Sequence, residues 1–355
     1  GYHTDANSEK VKPTDIYDLA SLSKTTGTLL AIMKLYDKGR FNLTDKVSDY
    51  LPFLRKTNKE NLTIRELLLH QSGLLSGLLF YQEAIDGKSY KGSLFKQSKD
   101  ALHTVRLGVR TWGNPRFRFN KGMTSKEKNG DYTLQVCDSL WLNRSFREEI
   151  RKKIAEAPLK DKSYRYSDVG FILLQMLAEE LSGKPMDEYL WQEFYQPMGL
   201  EHTAYLPLRY FDKKEVVPSA VDRFLRKTTL QGFVHDESAA FQGGIYQMLL
   251  NGGELDGRRY LSKETCALFT TEKSKISRRG LGFDKPDVVN ESKSPCAASV
   301  PVTVYGHTGF TGTCAWVDPD NGLIYVFLSN RTYPDAWVNK LSKLEIREKI
   351  QETIY

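Results

Sequence analysis

The sequence lacks the spacings that build metal sites. Its four cysteines form no CxxC pair, and its six histidines form no cluster. The adjacent residues His235, Asp236 and Glu237 invite a metal interpretation, but neighbouring side chains on a strand or turn diverge and do not converge on one ion. We therefore predict no metal and no other cofactor.

The cysteines give little support for a disulfide framework. They are Cys137, Cys266, Cys296 and Cys314. Cys296 and Cys314 could pair in an oxidising compartment. Buried free thiols are the favoured interpretation, because isolated cysteines usually serve as small apolar core residues.

Long hydrophobic runs are also missing. The longest apolar segments, such as Phe171 to Leu177, are broken by polar residues well before they could span a bilayer. We predict no transmembrane segment. A sequence that starts at Gly1 without methionine says nothing about a secretory signal.

The excess of positive charge is moderate. The chain has 51 Lys and Arg residues against 44 Asp and Glu residues, a formal net charge of +7 over 355 residues. Arg116 to Lys128 is strongly basic and contains Phe117 and Phe119, a mixture that also occurs in nucleic-acid surfaces. At this net charge we favour a solvated insertion near the mouth of a site, and we predict no nucleic-acid partner.

Length and composition predict one large α+β unit in two lobes. With 40% hydrophobic residues, the chain can bury a substantial core. Residues 1–74 and 255–355 are expected to form an antiparallel sheet flanked by helices, and residues 75–254 a mainly helical second lobe. Strands are predicted at Val300–Tyr305, Thr313–Val317 and Leu323–Ser329, and a helix over Trp337–Ile354.

Ser21 and Lys24 have the spacing of a nucleophile and its base. Apolar residues recur at helical spacing from Ser21 to Lys38, and Gly39 supplies a stop, so Ser21 is predicted to open a buried helix. Residues three apart share a helix face, which places the amine beside the hydroxyl. Lysine can act as the base only if its pKa falls well below about 10.4.

A second pair with the same spacing carries less weight. Ser93 and Lys96 lie in a stretch rich in Gly, Lys and Ser. It has no apolar periodicity, so nothing would fix the geometry of the two side chains.

Tyr166 precedes another predicted helix. Ser167 or Asp168 is a plausible N-cap, and Gly183 is its stop. A tyrosine of lowered pKa can accept the nucleophile's proton and return it to a leaving group. A capped helix with packing tyrosines would explain this segment equally well.

His307, Thr308 and Gly309 form a third segment near a predicted strand. Gly309 allows close approach of backbone or substrate. The Phe310 N–H could join the Ser21 N–H as an oxyanion hole. A lone histidine beside a glycine is often structural, but the order of the three segments is typical of a serine acyl-transfer site.

The chain resembles the serine beta-lactamase-like hydrolases, which include class C beta-lactamases, DD-peptidases and related esterases. Beyond the three motifs, the similar segments are Ile16–Lys38, Leu43–Pro52, Thr63–Leu74, Pro197–Thr203 and Gly306–Gly312. Within the third of these, Thr63 and Glu66 also have the spacing of a capping box. The resemblance implies Ser21 as acylated nucleophile, Lys24 and Tyr166 as the proton-transfer pair, and Asp168, His307, Thr308, Gly309 and Phe310 as site-lining residues. It implies a small-molecule or peptide substrate and a periplasmic or cell-envelope location.

Two departures from the family pattern bear on the substrate. Asp168 stands where many penicillin-recognising relatives have asparagine, and His307 where beta-lactamases usually have lysine. Both weaken the case for beta-lactams or D-Ala-D-Ala and favour an acyl hydrolase that is esterase-like or of undetermined substrate. The alternatives are a true DD-carboxypeptidase or beta-lactamase, and a catalytically silent protein that binds peptidoglycan or peptides.

The ends of the pattern suggest missing pieces. The family normally has a helix and two strands before the nucleophile helix, and here only Gly1–His3 could be the end of the second strand. A glycine-rich join at Phe241–Met248 is unusually short. We expect that the N-terminal strands are missing from this sequence. An upstream domain fused to the full-length protein is a further hypothesis.

Overall fold

The computed structural model describes residues 1–233, 235 and 244–355. Asp236, Glu237 and the first three residues of the glycine-rich join, Phe241–Gly243, lie outside the described residues. Within them the α-helices are α1 Leu29–Asp37, α2 Val47–Tyr50, α3 Ile64–Leu68, α4 Phe146–Glu156, α5 Asp168–Ser182, α6 Met186–Leu190, α7 Gly244–Leu250, α8 Lys263–Thr271, α9 Lys340–Lys343 and α10 Ile346–Glu352.

The strands are short and antiparallel. They are β1 Phe95–Lys96, β2 Val105–Gly108, β3 Thr111–Gly113, β4 Thr124–Ser125, β5 Tyr132–Cys137, β6 Leu140–Asn143, β7 Ala220–Asp222, β8 Thr228–Leu230, β9 Glu254–Leu255, β10 Arg258–Arg259, β11 Tyr305–Thr308, β12 Cys314–Asp318 and β13 Leu323–Phe327. They form sheets in the orders β1-β3-β2, β4-β6-β5, β7-β8, β10-β9 and β11-β12-β13. The mixture confirms the predicted α+β class.

The centre of the core is α1. Its apolar residues from Leu29 to Met33 are fully buried, and the helix packs against α5 and α8. It ends before Gly39, which adopts the left-handed conformation (φ 64°) predicted for a C-terminal glycine. Two other local predictions are confirmed. Thr63 and Glu66 form a capping box on α3, and Ser167 caps α5, which stops at Gly183.

The C-terminal sheet carries the third motif. The strands predicted after Gly309 are present as β12 and β13, joined by the turn at Asp318–Gly322. The first strand was predicted too early. Val300 and Val304 are buried in a separate apolar cluster, but the chain pairs only from Tyr305, so His307 and Thr308 lie within β11 opposite Ala315 and Cys314.

The middle of the chain is less helical than expected. Residues 75–254 contain α4 to α7, but also the two three-stranded sheets formed by β1 to β6 and the hairpin β7-β8. The strands of the two three-stranded sheets have two to six residues and are largely half-exposed. The hydrophobic pattern along such short, half-exposed strands is weak, and this explains why the sequence did not indicate them.

Both ends of the chain differ from expectation. Tyr2 forms an isolated bridge with Lys10 and does not join the C-terminal sheet. The predicted terminal helix is divided into α9 and α10 by Glu345, whose φ of 53° is incompatible with a continuous right-handed helix. The four cysteines are free and buried, as the favoured interpretation has it.

Candidate active site

Ser21 lies just before the regular part of the first helix. It belongs to a 3-10 turn, Ala20–Leu22, which is followed by the π-helical segment Lys24–Thr28 and then by α1. The helix predicted from Ser21 is therefore present, but its first turns are 3-10 and π, and the α-helical part begins only at Leu29. A side chain at Gly27 would collide with the Tyr205 hydroxyl, so this widened segment is packed closely against its neighbours.

The residue before Ser21 has an unusual backbone. Ala20 has a φ of 48°, in the left-handed region that residues with a side chain rarely adopt. Its N–H donates to Asp18 Oδ1 at 2.9 Å, and the Ser23 hydroxyl donates to its carbonyl at 2.6 Å. These bonds hold the turn in the conformation that presents Ser21 at the edge of the core.

The structure brings Ser21, Lys24 and Asp168 together. Lys24 Nζ donates to Ser21 Oγ at 2.9 Å and lies 2.7 Å from Asp168 Oδ1. The Lys24 side chain is buried, whereas that of Asp168 is 35% exposed. Ser21 is itself partly exposed. A hydroxyl open to solvent thus meets an amine whose other neighbour is a carboxylate.

The Asp168 carboxylate changes the charge expected for Lys24. Burial alone would lower the pKa of Lys24, but Tyr166 and Asp168 act in the opposite direction and together raise it. A lysine with a raised pKa is an ammonium at neutral pH. A base at this position requires a lowered pKa, and the spacing of Ser21 and Lys24 does not reveal the ion pair with Asp168 that opposes it.

Tyr166 lies beside the same amine. Lys24 Nζ is 5.5 Å from the centre of the Tyr166 ring, and the guanidinium of Arg279 is 5.1 Å from it. The pKa of Tyr166 is raised, because burial and the Asp168 carboxylate outweigh the opposite effects of Lys24, Ser21 and Arg279. At neutral pH the phenol therefore holds its proton and can serve as a donor.

His307 is a buried neutral side chain. Its Nδ1–H donates to the Thr308 carbonyl at 2.7 Å, and its Nε2 accepts from Arg279 Nη1 at 3.0 Å, so the bonds assign the tautomer. Burial and the neighbouring guanidinium lower the pKa of His307 to about 3. The ring therefore supplies no positive charge to a substrate.

Arg279 was missed by the sequence analysis. Besides His307, its guanidinium contacts the Tyr164 hydroxyl at 3.2 Å and Asp284 at 3.1 Å. Arg278 binds the same carboxylate through two hydrogen bonds of 2.6 and 3.0 Å. The two adjacent arginines precede Gly280 without a motif that marks them, so only the fold reveals their position behind the third motif.

Gly309 lies against the segment that precedes Ser21. A Cβ at this position would collide with the Leu19 carbonyl and with the Thr313 hydroxyl. The Thr313 hydroxyl donates to the Leu19 carbonyl at 2.9 Å, and the Thr311 hydroxyl donates to the Asp18 carbonyl at 2.6 Å. The chain just after the third motif is thus joined to the nucleophile segment by threonine hydroxyls that bond to its backbone carbonyls.

Phe310, whose N–H was expected to face an oxyanion, has a 46% exposed side chain. Its ring lies 4.3 Å from the guanidinium of Arg331 and 5.1 Å from the His235 ring. Thr308 precedes it by two residues on β11 and is partly exposed. All eight residues predicted for the site lie in the part of the chain that the structure describes.

The second serine-lysine pair has a different geometry. Ser93 Oγ donates to the Phe95 carbonyl at 2.8 Å, whereas Lys96 Nζ donates to Asp100 Oδ2 at 2.7 Å. The two side chains are therefore hydrogen-bonded to different partners. The geometry distinguishes Ser21 from Ser93 where the spacing alone could not.

The basic insertion uses its aromatic residues internally. Phe117 is buried, and its ring packs 5.6 Å from that of Phe119 and 5.2 Å from that of Phe224. The two rings therefore contribute to an apolar cluster with Phe224.

The described residues contain no group of three or more His, Cys, Asp or Glu side chains arranged to hold a metal ion. No helix among them has both the length and the apolar character needed to cross a membrane.

Comparison with known proteins identifies the family of the chain. The model of the family described as Beta-lactamase matches residues 1–345. A relative from Bacillus subtilis (strain 168), named N-acetylmuramyl-L-alanine amidase, is 28% identical over 364 residues, covering 91% of this chain and 70% of the relative.

Solved structures share the fold at lower identity. The octameric penicillin-binding protein homologue from Pyrococcus abyssi superposes with a TM-score of 0.60 at 20% identity, over 99% of this chain and 71% of that one. EstCE1, a hydrolase with promiscuous acyltransferase activity, gives 0.59 at 16% identity, over 99% and 88%. With its family model matched over nearly the whole length, the chain belongs to the beta-lactamase family of hydrolases.

Proposed function

We propose that this protein is a serine hydrolase that cleaves an ester, amide or peptide through a covalent acyl-enzyme on Ser21. The observation that carries the proposal is the contact of Ser21 Oγ with Lys24 Nζ at 2.9 Å, with Asp168 2.7 Å from the same amine. Membership of a hydrolase family supports it.

The reaction begins with proton removal. Ser21 Oγ attacks the substrate carbonyl carbon while its proton passes to the Lys24 amine, which must first lose a proton of its own. That proton is lost to solvent as the pH approaches the raised pKa of Lys24, because the Asp168 carboxylate stabilises the ammonium. The Ser21 and Phe310 N–H groups hold the developing oxyanion, and the Tyr166 phenol donates a proton to the leaving group and regains one from the Lys24 ammonium. Water then releases the acyl group.

The charges of the third motif favour esters over substrates with a free carboxylate. His307 is neutral, and Arg279 is buried and bonded to Asp284, Tyr164 and His307. Neither residue offers an accessible cation to grip the carboxylate of a beta-lactam or of D-Ala-D-Ala. We therefore expect faster turnover of a p-nitrophenyl ester than of nitrocefin or a D-Ala-D-Ala peptide. The opposite ranking contradicts this preference.

The name of the Bacillus relative favours a related setting for this chain. That protein is named for cleavage of a cell-wall bond. We propose that this hydrolase also works in the cell envelope, and fractionation of cells that express the full-length protein tests this location.

The decisive experiment compares two serines of the same motif spacing. Ser21→Ala should lower the hydrolysis of p-nitrophenyl acetate by at least about a thousandfold, because no nucleophile remains. Ser93→Ala is the matched control and should retain wild-type turnover. A fluorophosphonate probe should label Ser21, as located by peptide mapping.

Two outcomes contradict the proposal. Turnover that survives in Ser21→Ala removes the serine from the mechanism. Wild-type protein that neither hydrolyses an ester nor reacts with a fluorophosphonate or penicillin probe supports the catalytically silent binding protein.

A further inference from the structure

Asp168 links the candidate active site to a second cavity. A cavity of about 280 Å³ borders Lys24 and Asp168, and a larger one of about 640 Å³ also borders Asp168. Gln135, Ile172 and Gln175 line both volumes as well. The larger cavity is therefore within reach of a substrate whose reacting carbonyl lies at Ser21.

The larger cavity has an apolar wall made by three elements. Ile172 on α5, Ile150 on α4, and Leu134 and Leu142 on the sheet β4-β6-β5 line it. These side chains pack against the main core and are still partly exposed, so their remaining apolar surface faces the cavity. Its volume lies within the range of about 300–1,000 Å³ that is usual for small-molecule sites.

The charged side chains around this cavity are exposed to solvent or bonded to other residues, and they leave the apolar wall open to a ligand. Arg147 and Arg151 on α4 are exposed to solvent. Arg226 forms an ion pair of 2.8 Å with Asp222, and Glu179 accepts a hydrogen bond from the Met186 N–H at 3.2 Å. Such a lining suits a hydrocarbon chain better than a sugar or a charged peptide, whose polar groups would lose their hydration without replacement.

We propose that this cavity binds the aliphatic acyl chain of the ester substrate. The inference rests on the proposed hydrolase function and names its substrate class. A short acyl group ends at the reacting carbonyl, whereas a longer one passes Asp168 and Gln135 and enters the space between Ile150, Ile172 and Leu142. Each methylene that becomes fully buried there raises kcat/KM by up to about fourfold.

The first test is a chain-length series on the wild-type protein. The kcat/KM for p-nitrophenyl acetate, butyrate and octanoate should rise with length, and octanoate should exceed acetate by at least about tenfold. A flat or falling series in a protein that hydrolyses acetate through Ser21 overturns the inference and leaves the proposed function intact.

The second test fills the cavity. Ile150→Trp introduces a bulky ring from α4, and it should lower the octanoate-to-acetate ratio of kcat/KM at least about tenfold, because the chain loses its space. Ile350→Trp makes the same change on α10, where the side chain is 41% exposed. It should leave the ratio within about twofold of wild type. Equal ratios in the two variants overturn the inference.

A binding measurement keeps the inference testable if turnover is absent or a variant is unstable. Titration calorimetry of octanamide into Ser21→Ala should detect binding, and the same titration into Ser21→Ala with Leu142→Trp should detect at least tenfold weaker binding. Circular dichroism confirms that the variants are folded. If octanamide binds but the wild-type protein hydrolyses no ester, the hydrolase proposal is rejected and the acyl-chain cavity is retained. If no heat of binding is detected with octanamide, the acyl-chain cavity is rejected.

Discussion

The Asp168 carboxylate lies 2.7 Å from the Lys24 ammonium and holds it in the charged form. The same lysine donates to Ser21, so the carboxylate determines when the candidate base becomes available. Asp168 thus raises the proton affinity of Lys24 and also lines the adjacent cavity. This relationship leads to a prediction about pH.

Asp168→Asn should shift the pH dependence of hydrolysis to lower values. Loss of the negative charge removes one cause of the raised pKa of Lys24, so the amine loses its proton at a lower pH. The rising limb of kcat/KM against pH is therefore expected to move to lower pH. The measurement is the pH profile of p-nitrophenyl acetate hydrolysis in wild type and variant. A limb that stays in place excludes Lys24 as the group that titrates.

Arg279→Met and Arg278→Met should separate a positioning role from a structural one. Each variant removes one partner of the buried Asp284 carboxylate, and each is expected to lose about 3 kcal/mol of unfolding free energy. Only Arg279 also contacts His307 and Tyr164. Hydrolysis should therefore fall by at least tenfold more in Arg279→Met than in Arg278→Met.

The readout that distinguishes these two variants is the titration of His307 by NMR. Arg279 is one cause of the low pKa of His307, so its removal should raise that pKa, whereas Arg278→Met should leave it nearly unchanged. Equal effects of both substitutions on activity and on the histidine would show that Arg279 acts only through stability.

Gly309→Ala should damage the site through the backbone. The added methyl group meets the Leu19 carbonyl, which lies two residues before Ser21, and the Thr313 hydroxyl. We expect a loss of about 1–3 kcal/mol in stability and a fall in kcat of at least tenfold. Gly87→Ala is the control, since a methyl group there meets nothing within 4 Å. Wild-type kcat in Gly309→Ala would contradict the close approach.

Stability should decline as the pH falls below about 6.5. His70, His235 and His307 have lowered pKa values, about 4 for His235 and about 3 for His307, mainly because each is buried. The unfolded chain binds protons on these residues first, so stability is full above the unfolded pKa and is lost towards the folded one. Each histidine contributes up to about 1.4 kcal/mol per pH unit.

The corresponding measurement is urea unfolding between pH 7.5 and 5. The free energy of unfolding should fall steadily over this interval, and His307→Asn should reduce the slope by up to about 1.4 kcal/mol per pH unit. A free energy of unfolding that is constant between pH 7.5 and 5 would contradict this prediction, because it would show that these histidines bind protons equally well in the folded and the unfolded chain.

Local features were predictable from the sequence because their causes are local. Gly39, Gly183 and the capping box of Thr63 follow from backbone conformation and from hydrogen bonds between close neighbours in the chain. The bounds predicted for β11 were too early because Val300 and Val304 satisfy the same apolar pattern by packing against Cys314 and Trp316 of β12 without pairing as a strand.

The candidate site shows the same division. Ser21, Lys24, Tyr166 and His307 carry motifs, and the fold places all four in one cluster. Arg279 carries none, since its role depends on contacts with residues distant in sequence. The charge of Lys24 could not be predicted either, because the spacing of Ser21 and Lys24 gives no information about the electrostatic effect of Asp168.

The bonds from Thr311 and Thr313 to the Asp18 and Leu19 carbonyls have an evolutionary consequence. They lock one side of the cleft into a single block, in which any displacement of the serine drags the neighbouring strand with it. Gln135 and Val136 on β5 border the cavity beside Lys24, and in the described part of the chain β5 forms no hydrogen bond with Ser21. Divergence towards new substrates would therefore be tolerated mainly at β5.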